Sequence, residues 1–237
     1  MLSLVRNGTV PSPCTVADDG EVTRSIWLRA ALLTLLLVAS PRALPPVPRG
    51  PREPVNVAAL ARAAEMAGLR PQVLARALEA RQRLVANGLA IRPVLTVIDY
   101  TLPSRQPRLW VLDLTSTRVL AHELVAHGRA TGDDLARRFS NRPGSLQSSL
   151  GTFLTGAVYH GRHGPTLRLR GLDAGLNDRA AERGIVIHGA WYVSSAVAAK
   201  LGRLGRSEGC PALSQAAASR IIQLIRDGSV LYAYFAS

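Results

Sequence analysis

Apolar residues recur at helical spacing in two consecutive segments upstream of residue 93. The first covers residues 56–67, opens on an asparagine suited to capping a helix, and is followed by Gly68 as a stop signal. The second opens at Pro71, which suits the first turn of a helix, and stops at Asn87-Gly88. The pattern predicts a helical hairpin over residues 56–92, packed on the domain that follows.

The period of the pattern changes after Pro93. Short runs rich in Val, Ile, Leu, Thr and Tyr alternate with turn residues, which is typical of strands. These runs cover residues 94–99, 109–114, 118–124, 152–159, 167–171, 184–188 and 229–235. Helical spacing returns at 194–201 and 214–227. Residues 93–237 are therefore predicted to form one mostly β domain, largely antiparallel, with peripheral helices.

A separate hydrophobic signal lies near the N-terminus. Residues 30–39 form an uncharged, leucine-rich run behind Arg24 and Arg29, and a proline-rich stretch follows it. The run is too short for a membrane span, which needs roughly 20 apolar residues, and it matches the core of a signal peptide. We expect residues 1–43 to be a signal peptide or membrane-anchoring segment and residues 44–55 to be a proline-rich linker; a buried leucine-rich helix is the alternative. The protein is then exported to the periplasm or cell wall, and it contacts the membrane only if the signal stays uncleaved.

Composition adds a strong basic excess to this picture. The chain has 29 Lys and Arg against 16 Asp and Glu, a net charge of +13, and Lys200 is its only lysine. Such a charge suits nucleic acid, anionic lipid or an anionic polymer equally well. The arginines are scattered along the chain, so a simple compositional bias is the competing interpretation.

The candidate chemistry lies near the C-terminus. Cys210 follows Gly209, and His188-Gly189 lies 22 residues before it. A thiol and a nitrogen base are the two groups that a cysteine nucleophile needs. Because Cys14 lies in the segment expected to be removed, Cys210 has no disulfide partner in the mature chain and is either inert and buried or free for chemistry. Each residue alone is more often structural, but the pair, flanked by glycines, favours catalysis. The N–H groups of Gly209 and Cys210 could converge on an oxyanion.

Several separated motifs accompany this pair. They are Asp99-Tyr100-Thr101-Leu102-Pro103-Ser104, Val125-Ala126-His127-Gly128, Phe139-Ser140-Asn141, Ser148-Ser149-Leu150-Gly151 and Gly205-Arg206-Ser207-Glu208-Gly209-Cys210-Pro211-Ala212-Leu213. With these motifs, the segment from about residue 96 to 235 resembles the L,D-transpeptidase catalytic family, the cysteine enzymes that remodel peptidoglycan, and most resembles a divergent murein L,D-transpeptidase branch. The chain departs from the usual Ser-His-Gly-Cys pattern at Glu208, and again at Pro211-Ala212-Leu213, where polar residues are usual.

The resemblance implies a β-sandwich-like catalytic domain with helices around it. It implies Cys210 as the nucleophile, His188 as its general base, and the Gly209 and Cys210 amides as the oxyanion hole. In this family a backbone carbonyl often orients the histidine; Ser207 is the candidate side chain here. The candidates for binding substrate are Gly189, Ser207, Arg206, Tyr159 and His160. Arg206 is named because it lies four residues before the thiol and could bind a stem-peptide carboxylate; a solvated surface arginine is the alternative.

The implied reaction is acyl transfer through a Cys210 thioester. The donor is a peptidoglycan stem tetrapeptide that loses D-alanine, and the acceptor is a neighbouring stem amine, a lipoprotein lysine, a free D-amino acid or water. No metal, organic cofactor or nucleic-acid partner is called for, and a carbapenem is expected to add to the same thiol. Two alternatives stay open: an L,D-carboxypeptidase or other hydrolase using this thiol, and a non-catalytic wall-binding protein.

Overall fold

The computed structural model describes residues 55–236. The predicted signal segment and nearly all of the predicted linker lie outside these residues. Within them, no helix combines the length and the apolar character needed to cross a bilayer.

A helical hairpin precedes the sheet, as the spacing of apolar residues predicts. It consists of α1 (Val57–Met66) and α2 (Pro71–Ala86). The side chain of Asn56 caps α1 by accepting a hydrogen bond from the Ala59 N–H at 3.0 Å. Between the helices the chain turns at Gly68, whose φ of +80° lies in the region that glycine favours.

Eight strands and two further helices make up the rest of the chain. They are β1 (Val94–Asp99), β2 (Leu109–Asp113), β3 (Arg118–Glu123), β4 (Gly151–Gly161), β5 (Gly164–Gly171), β6 (Val186–Gly189), α3 (Ser195–Leu201), β7 (Ala212–Leu213), α4 (Gln215–Ile225) and β8 (Val230–Tyr234). The strands join in one sheet with the order β3-β2-β1-β8-β4-β5-β6-β7. The predicted mostly β fold with peripheral helices is confirmed; β1 with β8 and β6 with β7 are parallel, and the other pairs are antiparallel.

Burial on both faces explains why β1 reads as a continuous apolar run. Along β1, Val94 and Ile98 belong to one core together with buried residues of β5, β6 and α4. The intervening Leu95 and Val97 belong to a second core formed with the helical hairpin. Because successive side chains of a strand point to opposite faces, β1 is covered by α4 on one side and by the hairpin on the other.

The hairpin is also held by polar contacts. The Trp110 indole N–H donates to the Ala67 carbonyl at 2.7 Å, so the end of α1 is fixed to β2. Arg70, just before α2, binds the fully buried Asp99 carboxylate at 2.7 Å. These two contacts attach the helical hairpin to β2 and to the C-terminal end of β1.

Candidate active site

Main-chain pairing holds the segment that carries Cys210 on both of its flanks. Before the cysteine, the Ser207 N–H donates to the His127 carbonyl at 3.0 Å, and the Arg129 N–H donates to the Ser207 carbonyl at 2.8 Å. After it, Ala212 in β7 pairs with His188 in parallel β6. The pairing of the short strand β7 with β6 therefore brings the cysteine segment beside His188 of β6.

A cleft of about 520 Å³ lies over this junction. Both predicted catalytic side chains line it, Cys210 and His188. The other lining residues are Arg129, Tyr159, Gly161, Arg162, His163, Thr166, Val186, Tyr192, Arg206, Ser207 and Glu208. The cleft therefore combines a thiol and an imidazole with an excess of arginine over acidic residues.

The imidazole of His188 has its orientation fixed by the main chain. Its Nδ1 lies 2.9 Å from the Gly189 carbonyl oxygen, which can only accept, so Nδ1 carries the proton and Nε2 keeps its lone pair. Burial lowers the pKa of His188, the Gly189 carbonyl opposes this, and His163, stacked at 5.1 Å between ring centroids, lowers it further. His188 is therefore neutral at neutral pH and able to accept a proton.

Ser207, the side-chain candidate for orienting His188, is bound elsewhere. Its hydroxyl donates to the Cys210 carbonyl at 2.6 Å and accepts the Gly209 N–H at 3.1 Å, so it closes the turn around the cysteine instead. The group that orients His188 is the Gly189 carbonyl.

His127 has the opposite arrangement to His188. The guanidinium of buried Arg108 donates to His127 Nδ1 at 2.8 Å, so the lone pair is occupied, and Nε2 lies 3.2 Å from the Gly132 carbonyl oxygen. Burial and the charge of Arg108 lower the pKa of His127 to about 4. His127 is therefore held neutral as a structural group and has no lone pair to offer a thiol.

The thiol of Cys210 is half-buried, and its sulfur lies 3.7 Å from the Gly184 carbonyl oxygen. Burial raises the pKa of the thiol, while the Val186 N–H and the charge of Arg183 lower it and Glu208 raises it. With the thiol pKa raised and that of His188 lowered, the resting pair is a neutral thiol and a neutral imidazole. A neutral thiol needs a base to remove its proton when it attacks, and a neutral imidazole is a base of the required kind.

Gly209 shapes the turn before the cysteine. Its φ is +129°, and a Cβ there would lie 2.8 Å from the Gln147 carbonyl oxygen, so only glycine fits without strain. Its N–H is taken by Ser207, which contradicts its predicted place in the oxyanion hole. Among the described residues the Cys210 N–H has no hydrogen-bond acceptor, so this amide is free to donate to a bound group.

The structure separates the predicted substrate-binding residues. Tyr159 lines the cleft, with 38% of its surface exposed. His160 does not line it, because adjacent residues of β4 point to opposite faces; His163, at the tip of the β4–β5 hairpin, lies against His188 instead. Gly189 lies against α4, where a Cβ would meet the Gln215 side chain at 2.2 Å.

Arg206 is engaged away from the thiol. Its guanidinium donates to Asp133 at 2.7 Å and to the Gly132 carbonyl at 3.2 Å. Arg129 is more available: its side chain is 56% exposed, lines the cleft, and lies 3.7 Å from Glu208. The sequence interpretation missed Arg129, although it directly follows the motif that ends at Gly128.

The described residues contain no group of three His, Cys, Asp or Glu side chains placed to hold a metal ion.

Comparison with known proteins identifies the family. The family model of the L,D-transpeptidase catalytic domain matches residues 65–234. No curated protein matches the chain. Similar solved structures include an L,D-transpeptidase from Mycobacterium smegmatis (16% identity over 60% of this chain and 59% of that chain, TM-score 0.38). A second is residues 123–326 of an L,D-transpeptidase from Xylanimonas cellulosilytica DSM 15894 (15% identity over 65% of this chain and 68% of that chain, TM-score 0.36). A third is the LD transpeptidase LdtMt1 in complex with imipenem (13% identity over 60% of this chain and 59% of that chain, TM-score 0.37). The chain covers less than two thirds of the M. smegmatis and LdtMt1 chains. From the family match, the chain belongs to the L,D-transpeptidase catalytic domain family.

Proposed function

We propose that this protein is a peptidoglycan L,D-transpeptidase that forms a thioester between Cys210 and a stem tetrapeptide. One observation carries the proposal: Cys210 and His188 line the same cleft, and the Gly189 carbonyl holds His188 so that its Nε2 lone pair is free. His127 and His160 lack this combination.

The acylation step follows from these groups. His188 Nε2 accepts the Cys210 proton as the sulfur attacks the carbonyl of the third stem residue, and the Cys210 N–H donates to the oxyanion that forms. The imidazolium then protonates the amine of D-alanine, which leaves as the carbon–nitrogen bond breaks. The products are the thioester, free D-alanine and neutral His188.

The second half reverses these roles. An acceptor amine attacks the thioester carbonyl while His188 takes the amine proton; the carbon–sulfur bond breaks, and the proton returns to the Cys210 thiolate. The acceptor is a neighbouring stem, a lipoprotein lysine or a free D-amino acid.

Substrate recognition is assigned to the basic rim of the cleft. Stem peptides carry carboxylates, which guanidinium groups bind bidentately. Because Arg206 is paired with Asp133, we assign this contact to Arg129. The exposed ring of Tyr159, in β4, provides an apolar wall on the side of the cleft formed by the β4–β5 hairpin.

Product analysis tests this function. The purified protein is incubated with a disaccharide tetrapeptide, with and without an amine acceptor, beside a Cys210→Ala control. We expect D-alanine release and a cross-linked or acceptor-linked product from the wild type alone. Tripeptide as the only product in the presence of acceptor would assign hydrolysis instead, and no turnover together with an unreactive thiol would favour the non-catalytic wall-binding alternative.

Location is part of the proposal, since peptidoglycan lies outside the cytoplasm. We propose that residues 1–43 direct export and that the working protein begins in or near the proline-rich residues that follow. Cell fractionation with N-terminal sequencing of the native protein tests this. A cytoplasmic, full-length product would contradict the wall-enzyme assignment.

A further inference from the structure

Arg183 has an unusual set of partners beside the cysteine turn. Its Nη1 donates to the Ser140 carbonyl and the Ser149 hydroxyl, both at 2.5 Å. Its Nη2 donates to the Gln147 carbonyl at 2.5 Å and the Ser145 hydroxyl at 3.1 Å. All four acceptors are neutral and lie within residues 140–149, so one guanidinium binds this loop to the turn that leads into β6.

Among the residues that the structure describes, no carboxylate accepts a hydrogen bond from Arg183. The nearby Glu182 is paired with Arg179 at 2.8 Å. Burial lowers the pKa of Arg183, which the proximity of Cys210 opposes. A partly buried cation that is bound only by neutral groups favours an anion nearby.

The group beside this cation is the thiol. Arg183 Nη2 lies 3.4 Å from the position that a Cβ on Gly209 would occupy. The Cys210 sulfur lies 3.7 Å from the carbonyl of Gly184, the residue directly after Arg183. The guanidinium therefore lies beside the turn that holds the sulfur. The cleft-lining Glu208 has the opposite effect, because its negative charge raises the pKa of the thiol.

We propose that Arg183 supplies the fixed positive charge that stabilises the Cys210 thiolate once His188 has taken the proton. The proposal rests on the assignment of Cys210 as nucleophile, but it concerns the thiol itself and needs no peptidoglycan substrate. The step moves one proton from the sulfur to His188 Nε2, and Arg183 neither gains nor loses one. The other titratable groups near the sulfur are Glu208, Tyr100 and Tyr192, each of which raises the energy of the thiolate when it is charged.

Alkylation by iodoacetamide as a function of pH measures this effect directly. The full chain is used, and the peptide that contains Cys210 is followed by mass spectrometry so that Cys14 does not contribute. In Arg183→Gln we expect the pH midpoint of alkylation to rise by about one unit, with an alkylation rate at pH 7 about tenfold lower. Arg183→Lys keeps the charge and loses most of the hydrogen bonds, so its midpoint stays within about half a unit of the wild type.

Arg179→Gln is the matched control, because it removes a nearby exposed arginine charge that is already paired. Its midpoint should equal that of the wild type. A wild-type midpoint in Arg183→Gln, with only its melting temperature lowered, would show that Arg183 merely holds the loop and would overturn the proposal. If Arg183→Gln does not fold, the Lys variant decides: a midpoint raised by a full unit also overturns it. The two proposals can fail separately. If the alkylation midpoints of the variants shift as expected but the wild type forms no acyl-enzyme with tetrapeptide, the proposed function is refuted and this inference stands.

Discussion

Acid stability provides a sharp test of the buried network behind the active site. His127 is 1% exposed, and burial, followed by the charge of Arg108, lowers its pKa from 6.5 to about 4. When the pKa of a histidine is lower in the folded state than in the unfolded state, its full contribution to stability is present at pH values above the unfolded-state pKa. The unfolded chain then binds the proton first as the pH falls, so stability is lost between pH 6.5 and about 4. At about 1.4 kcal/mol per pKa unit, the loss from this side chain is roughly 3 kcal/mol.

Urea denaturation from pH 7.5 to pH 4 measures this loss. His127→Gln can keep an acceptor for Arg108 and a donor for Gly132 but cannot be protonated, so its unfolding free energy should fall by roughly 3 kcal/mol less than that of the wild type over this range. His188, whose pKa is also lowered by burial, contributes equally to both proteins and cancels in the comparison. His160→Gln, at an exposed position, is the control and should follow the wild type. Parallel pH profiles for wild type and His127→Gln would refute the reasoning.

Three further predictions concern the site itself. His188→Ala should keep the fold and slow acylation by a carbapenem about 10²–10⁴-fold, as expected for loss of a general base, whereas His160→Ala acylates at the wild-type rate; the reverse order in stopped-flow measurements would reassign the base. Gly209→Ala should cost about 1–3 kcal/mol of unfolding free energy beyond the cost of Gly144→Ala, which also has positive φ but open space around it, and equal melting temperatures for the two variants would contradict this. Arg129→Gln should raise KM for the tetrapeptide about tenfold with little change in kcat; an unchanged KM would remove Arg129 from substrate binding.

Much of the fold can be predicted from the pattern because most strands are local runs bounded by turn residues. The strand β7 escapes such a prediction, since two residues carry no period. Its existence depends on pairing with β6 and with Ala126, which are distant in sequence. The doubly covered β1 shows the same limit: its apolar run predicts burial, but not that the hairpin covers one face.

Some residues of the candidate site can also be identified from the sequence, whereas others depend on contacts between distant segments. Cys210 and His188 can be found from the sequence because thiol and imidazole are rare and each adjoins a glycine. The ion pair that withdraws Arg206 spans 73 positions, and the contacts of Arg183 reach the loop of residues 140–149, so neither has a local signal. The choice between His160 and His163 depends on which face of the β4–β5 hairpin meets the cleft, which only the register shows.

The most direct test of the central assignment is intact-mass spectrometry of the protein mixed with a disaccharide tetrapeptide and no acceptor, followed by peptide mapping. We predict a covalent adduct equal to the tetrapeptide donor less D-alanine, carried by the peptide that contains Cys210 and absent from Cys210→Ala. A protein that labels with a small thiol reagent at Cys210 but forms no such adduct, or forms it at another residue, would contradict the account.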